Sequence, residues 1–205
     1  MAAPAATRRE AFRERILSTA VDLARQEGWK NLSMRRIADE LDYTTPALYY
    51  HFKSKDDLIV ELQSRGWSAL LKKMTEIDEP DPVKRLEAIA RAYVDFAFFE
   101  TELFMTMFGL GGVSCESEVA PPAAKDVSAI VNETAAAIFT GVVPPAAMED
   151  EVDVFWASVH GAVTLAMTGN LEGGQPRARS LAQVVIERTL RSWAPEHGAA
   201  ATGGE

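Results

Sequence analysis

Three histidines, His51, His160 and His197, and one cysteine, Cys115, are the side chains in this 205-residue chain best suited to hold a metal or act as a nucleophile. Their spacing supports neither role. Catalysis needs a nucleophile beside a base, paired carboxylates in a cleft, or ligands gathered at metal spacing. The histidines fall on separate segments, and no Glu-x-x-His occurs. Glu116 and Glu118 flank Cys115, and negative neighbours raise a thiol's pKa and dull its thiolate. The expectation is therefore no catalytic residue, no metal and no cofactor, so the chain is not read as an enzyme. A thiol-based redox sensor built on Cys115 stays open as an alternative.

The denser chemistry lies in Thr44–Lys55, TTPALYYHFKSK, where three aromatic rings, a histidine and two lysines share twelve residues. Threonine hydroxyls can bond base edges or phosphates, an alanine methyl and tyrosine rings can touch thymine methyls, and histidine or lysine can meet a phosphate oxygen. A net charge of −9 argues at first against a polyanionic partner, because phosphate binding draws on Lys and Arg. The charge is not evenly spread. Residues 1–60 carry a net +1 and the remainder −10, so the N-terminal part can approach a polyanion that the rest would repel.

The elements that would present this stretch are helical, and no segment sustains strand-like alternation. Phe12, Ile16, Leu17, Ala20, Val21 and Ala24 form one apolar stripe between Arg9 and Glu27, and Gly28 suits the left-handed end of a helix. Ser33 can cap a second, short helix whose Ile37, Ala38 and Leu41 face inward. Asp42-Tyr43 makes a tight connection. Thr44 or Thr45 caps a third, very short helix with Pro46 in its first turn, where a missing amide hydrogen costs little. Ser54-Lys55-Asp56-Asp57 has the form of a capping box and opens a fourth helix to about Ile77. Further helices are expected over about 82–100, 101–108, 122–140, 147–171 and 177–193, with breaks at the GLGG run from Gly109, at Pro144-Pro145 and at Gly173-Gly174.

Three short helices with a tight turn between the second and third make the helix-turn-helix plan, whose later helix lies in the major groove. On the third helix Leu48 and Phe52 point inward, leaving Thr44, Thr45, Ala47, Tyr50 and His51 outward. Lys55 adds a cation to a helix start that already favours an anion, and Arg35 on the second helix can reach a guanine edge. Arg8 and Arg9 can enter a minor groove.

The run LSMRRIADELDYTTPALYYHFKSKDDL, Leu32–Leu58, with the preceding ILSTAVDLARQEGW, resembles the DNA-binding domain of the tetracycline-repressor (TetR) family of bacterial transcription regulators. The resemblance covers roughly the first 60 residues. It implies base contacts from Arg35, Thr45, Pro46, Ala47 and Tyr50, and phosphate contacts from Ser33, Thr44, Tyr49, His51 and Lys55. Asp42 departs from the glycine that many members carry.

The architecture expected is all-α: a helix-turn-helix domain over 1–60, a larger ligand-binding and dimerisation domain over 61–195, a disordered tail over 196–205, and about nine helices in all. One head reads one half-site, whereas a two-fold dimer reads a palindrome with half-sites ~34 Å or a related spacing apart. The dimer seam is assigned to the last two long helices, through Val152, Phe155, Val159, Ala162, Ala166, Leu181, Val184 and Val185. In TetR-like proteins that pair forms a four-helix bundle with its mate.

An aromatic and methionine-rich interior is the expected ligand site. It draws Trp67, Leu70 and Met74 from the fourth helix, Tyr93, Phe96 and Phe99 from the fifth, and Phe104, Met105 and Phe108 from the sixth. Trp156, His160, Thr164 and Met167 complete it. Trp156 and His160 share a face at i and i+4, and the Trp-x-x-x-His-Gly run resembles one C-terminal subgroup of the family.

The function expected is a homodimeric repressor, a double-stranded DNA binder released by a small apolar or amphipathic effector, with helix four as the lever. A helical adaptor that binds protein and never DNA is the alternative. No apolar run reaches the ~18 residues of a membrane span, and MAAPAATRRE lacks a secretory apolar stretch, so a cytoplasmic location without membrane contact is expected.

Overall fold

The computed structural model describes residues 5–113, 121–139 and 145–193, and all its regular elements there are helical. They are α1 (Ala5–Glu27), a 3-10 turn (Trp29–Asn31), α2 (Met34–Leu41), α3 (Thr45–Tyr49), α4 (Lys55–Thr75) and α5 (Pro82–Phe99). α6 (Thr101–Met107), α7 (Pro122–Ile138), α8 (Pro145–Met167) and α9 (Gly174–Trp193) follow. Cys115, His197 and the tail over 196–205 lie outside the described residues, so the redox and disorder expectations have no structural counterpart.

The local signals act where expected. Gly28 stands at φ 82 and its amide reaches the Ala24 carbonyl, closing α1. Ser33 Oγ accepts from the Arg36 amide at 3.1 Å, satisfying one of the donors that every helix start leaves unpaired. Asp42 follows α2 at φ 58, ψ 44. Aspartate is among the few non-glycine residues that tolerate this left-handed well, so the turn forms without glycine. Ser54 Oγ accepts from the Asp57 amide, and Asp57 Oδ2 accepts from the Lys53 amide, both at 3.0 Å.

The chain forms two compact units, Met1–Trp67 with Glu100–Pro121, and Ser68–Phe99 with Pro122–Glu205. The first is the head. Its core joins Ile16, Leu17, Ala20, Leu23 and Ala24 of α1 to Trp29, Ile37, Leu48, Phe52, Leu58 and Leu62. α6 also packs on α1, and Val113 sits in the same core with Leu103 and Met105 against it. The sequence division at residue 60 is contiguous, whereas the head in the structure takes back a segment forty residues downstream of it. Apolar side chains on α6 and beyond it have their partners there.

In the second unit α8 and α9 pair along their length, and α5 and α7 pack on one another and on α8. Trp193 anchors the end of this unit. Its ring lies 4.5 Å from Phe139 and 5.6 Å from Phe155, and its Nε1 donates to Glu151 at 3.1 Å.

Candidate nucleic-acid interface

α3 has only five residues, far short of the ~12–15 at which a helix holds in water by itself. It stands because Leu48 and Phe52 are buried in the head core. With those two turned in, the helix turns the rest of its surface out. Tyr50 is 70% exposed and Tyr49 48%. Thr44 and Pro46 are exposed, and Thr45, Ala47 and His51 are half-buried.

The residues around α3 divide by how free their side chains are. Arg35 is exposed with only a 3.9 Å approach to Asp39, while neighbouring Arg36 is tied to Glu27 and Glu40 at 2.8 Å each. Ser33 is occupied as the α2 cap. Lys55 Nζ donates to the Trp29 carbonyl at 3.3 Å, and Asp56 and Asp57 share the first turn of α4 with it. That start is therefore less hospitable to an anion than the sequence suggests. The first turns of α1 add Arg9, whose guanidinium lies 5.0 Å from the Tyr50 ring centroid.

His51 is held edge-on by Phe12 at 5.0 Å and Tyr50 at 5.4 Å. Burial pushes its pKa below the usual histidine value, and the Arg9 and Arg13 charges push the same way. Its Nδ1 is buried without a hydrogen-bond partner. The ring is thus neutral at pH 7 in the free protein.

The expected ligand residues separate into two groups. Trp67 and Phe108 stack edge-on at 5.3 Å in the first unit, and Phe104 lies 4.7 Å from Phe108. Leu70, Met74, Tyr93 and Phe96 are buried in the second unit. Beside them Tyr93 packs on Trp156 at 4.4 Å, and its hydroxyl meets His160 Nδ1 at 2.6 Å. Burial raises the Tyr93 pKa well above its ordinary value and lowers that of His160. Both are neutral at pH 7, and a neutral phenol and a neutral imidazole can share this bond with either as donor, according to the imidazole tautomer. Thr164 donates back to the His160 carbonyl at 2.8 Å, and Met167 is half-buried.

Three expectations need correction. Phe99 is not interior: it is 77% exposed, 5.9 Å from the Arg179 guanidinium, because α5 ends there. Met105 packs on the head core near Gly111. Val152, Phe155, Val159 and Ala162 are buried within a single chain, which leaves little of them to meet a second copy. Ala166, Leu181 and Val185 are half-buried, and Val184 is 40% exposed. The apolar residues that α8 does expose are Val154 at 64% and Leu165 at 47%. Ala157, Ser158 and Gly161 lie between them on the same face. A Cβ built on Gly161 would meet nothing within 4 Å.

Between α5 and α9 a cleft of about 230 Å³ is lined by Arg91, Asp95, Arg179 and Gln183 over Val94, Ala182 and Ile186. Its arginines are engaged, Arg91 with Glu87 and Arg179 with Asp95. Sequence reasoning missed this cleft, since Arg91 four residues from Glu87 reads as a solvated face and nothing local pairs Arg179 with Asp95 across two helices. Among the described residues no group of His, Cys, Asp and Glu could hold a metal ion, and no helix is long and apolar enough to cross a membrane.

Two family models match. Residues 16–62 match the bacterial regulatory proteins of the tetR family, and residues 86–189 match the tetracyclin repressor-like C-terminal domain. The tetracycline repressor protein class C of Escherichia coli is 43% identical over 47 residues, 23% of this chain and 22% of that one. The HTH-type transcriptional regulator in the dhlA 5' region of Xanthobacter autotrophicus is 38% identical over 63 residues, 31% of each chain. These matches span less than half the length of the curated relatives. Among solved structures, the TetR family regulator PfmR from Thermus thermophilus superposes with a TM-score of 0.65 at 19% identity, covering 86% of this chain and 97% of that one. A tetR-family regulator from Streptomyces coelicolor gives 0.64 at 22%, covering 93% and 86%. Both show the shared fold.

Proposed function

The chain belongs to the TetR family of bacterial transcription regulators, and on that premise we propose that it is a repressor that binds a palindromic operator as a homodimer. Each head lays α3 in the major groove. The observation that carries this reading is the division of α3 and the turn after it into a buried side, Leu48 with Phe52, and an exposed side led by Tyr50. A helix kept only for packing has no cause to hold Thr44, Pro46, Tyr49 and Tyr50 in solvent. Base contacts fall to Arg35, Thr45, Pro46, Ala47 and Tyr50, and phosphate contacts to Ser33, Thr44, Tyr49, His51 and Lys55.

The two copies meet through the face of α8 that carries Val154, Ala157, Ser158, Gly161 and Leu165, joined by Val184 of α9. A small apolar or amphipathic molecule releases the operator. The Tyr93–His160 pair beside Trp156 supports this part, because a neutral donor–acceptor pair among apolar groups suits an uncharged or weakly polar ligand. The effect on operator affinity is the coupling free energy, typically ~1–3 kcal/mol.

The test starts from the protein's preferred duplex, selected from a random pool. Tyr50→Ala should weaken binding to it by about 1–3 kcal/mol and relax preference at the base touched. Lys55→Ala should weaken all sequences alike and reduce the salt slope by about one. Parental binding by both variants would show that α3 is not the reading element.

A further inference from the structure

A five-residue helix that reads bases must be held at one angle, and apolar burial alone does not fix its roll. The last carbonyls of any helix lack partners within it. Two residues past the end of α3, a side chain from another element holds the chain that leaves it: Arg13 of α1 donates from Nη1 to the His51 carbonyl at 2.7 Å. The same guanidinium lies 4.2 Å from the centroid of the Phe52 ring. Its Nη2 stands 3.4 Å from Glu61 Oε2 on α4. One planar group therefore touches the turn that leaves α3, the ring that anchors it, and the helix that follows.

The contact does not stand alone. Glu61 gives its other oxygen to Arg65 Nε at 3.1 Å, and Arg65 reaches across to Glu14 with both terminal nitrogens. The Arg65 guanidinium holds the Glu14 carboxyl below the usual carboxylate range. Arg13 and Glu14 are adjacent on α1, and Glu61 and Arg65 are one turn apart on α4. The four form an alternating ladder between those helices, inside the head. Arg13 is its rung nearest α3 and keeps only 25% of its side chain exposed.

We propose that Arg13 is a positioning residue for operator recognition: it touches no DNA, yet it sets where α3 stands against α1 and α4, and base discrimination depends on it. This rests on α3 being the reading helix. Hydrogen bonds to base edges weaken steeply beyond about 3.2 Å or at poor angles, so a small roll of α3 that leaves the head folded still spoils the match at Thr45 and Tyr50. Lysine cannot replace the arginine, because an ammonium lacks the fork that bridges a carbonyl and a carboxylate while lying on a ring.

The experiment uses the full chain and the selected duplex, with single-base variants of that duplex. Arg13→Ala, Arg13→Lys, Glu61→Gln and Tyr50→Ala are compared for affinity ratio, salt slope and unfolding midpoint. Arg13→Ala and Arg13→Lys should each lower the preference for the selected duplex on the order of tenfold, with the salt slope unchanged. Glu61→Gln should lose less in the same direction. Should Arg13→Ala fail to fold, the lysine and Glu61 variants carry the test. Discrimination kept by the Arg13 variants but lost by Tyr50→Ala overturns the inference and leaves the reading helix standing. A salt slope reduced by about one, with uniform weakening, also overturns it, since that marks a direct phosphate contact. Discrimination kept by every variant overturns both.

Discussion

Gly161→Ala separates a face that meets a second copy from one that meets water, because the two predict opposite signs. Within one chain a Cβ at Gly161 has open space around it, and the residue sits in the interior of α8. Replacing a mid-helix glycine with alanine then stabilises by about 0.8–1 kcal/mol. If instead two copies pack across Val154, Ala157, Ser158, Gly161 and Leu165, the added methyl overpacks the seam. Overpacking costs about 1–3 kcal/mol per site, and a two-fold interface presents the site twice, so the dimer loses about 2–6 kcal/mol. That is a rise in dimer Kd of roughly thirtyfold to 10⁴-fold. The helix-propensity gain acts on monomer and dimer alike and drops out of that Kd. Sedimentation velocity over a dilution series gives the Kd, and guanidinium unfolding of the dilute variant gives the intrachain term. A higher unfolding midpoint with an unchanged Kd would refute the seam.

Leu48→Ala should destabilise the head by about 2–5 kcal/mol, read by urea unfolding, and abolish operator binding with it; a loss under about 1 kcal/mol would mean that α3 is anchored elsewhere. Glu102 on α6 carries a carboxyl whose pKa burial raises above the ordinary 4.5, while the Trp29 indole and the Arg25 charge draw it back; neither Glu102 Oε2 nor Trp29 Nε1 completes a hydrogen bond. A native pKa above the unfolded one means that ionisation costs the folded state, with the penalty growing as pH rises through the raised value and fully present at neutral pH. Glu102→Gln should therefore raise the thermal midpoint by a few degrees at pH 7 and match the parent near pH 4, whereas equal midpoints at pH 7 would show a well-solvated carboxylate.

Most of the head was legible because its signals are local. The stripe from Phe12 to Ala24, Gly28, the Ser33 cap, Pro46 in the first turn of α3 and the Ser54–Asp57 box each act within a few residues, and each sits where expected. The return of α6 and Val113 to the head was not legible, since nothing in an apolar pattern names its distant partner. The same ambiguity bears on Val152, Phe155, Val159 and Ala162, which pack inside one chain. An apolar stripe is equally required for burial inside one chain and between two, and only the packing of α8 against α9 decides. Arg13 was invisible for the converse reason: a charged residue beside an apolar stripe reads as a solvated face until the carbonyl it meets is known.

The segment beyond residue 99 that rejoins the first helices has a practical meaning for anyone exchanging heads between such proteins. A splice made near residue 60 would transplant α1 to α3 while leaving behind Leu103, Met105 and Val113, which fill the far side of their core. The recipient would supply a plug shaped for another socket. Chimeras should carry both stretches together, and partial proteolysis of the intact chain should release no stable fragment ending near residue 60.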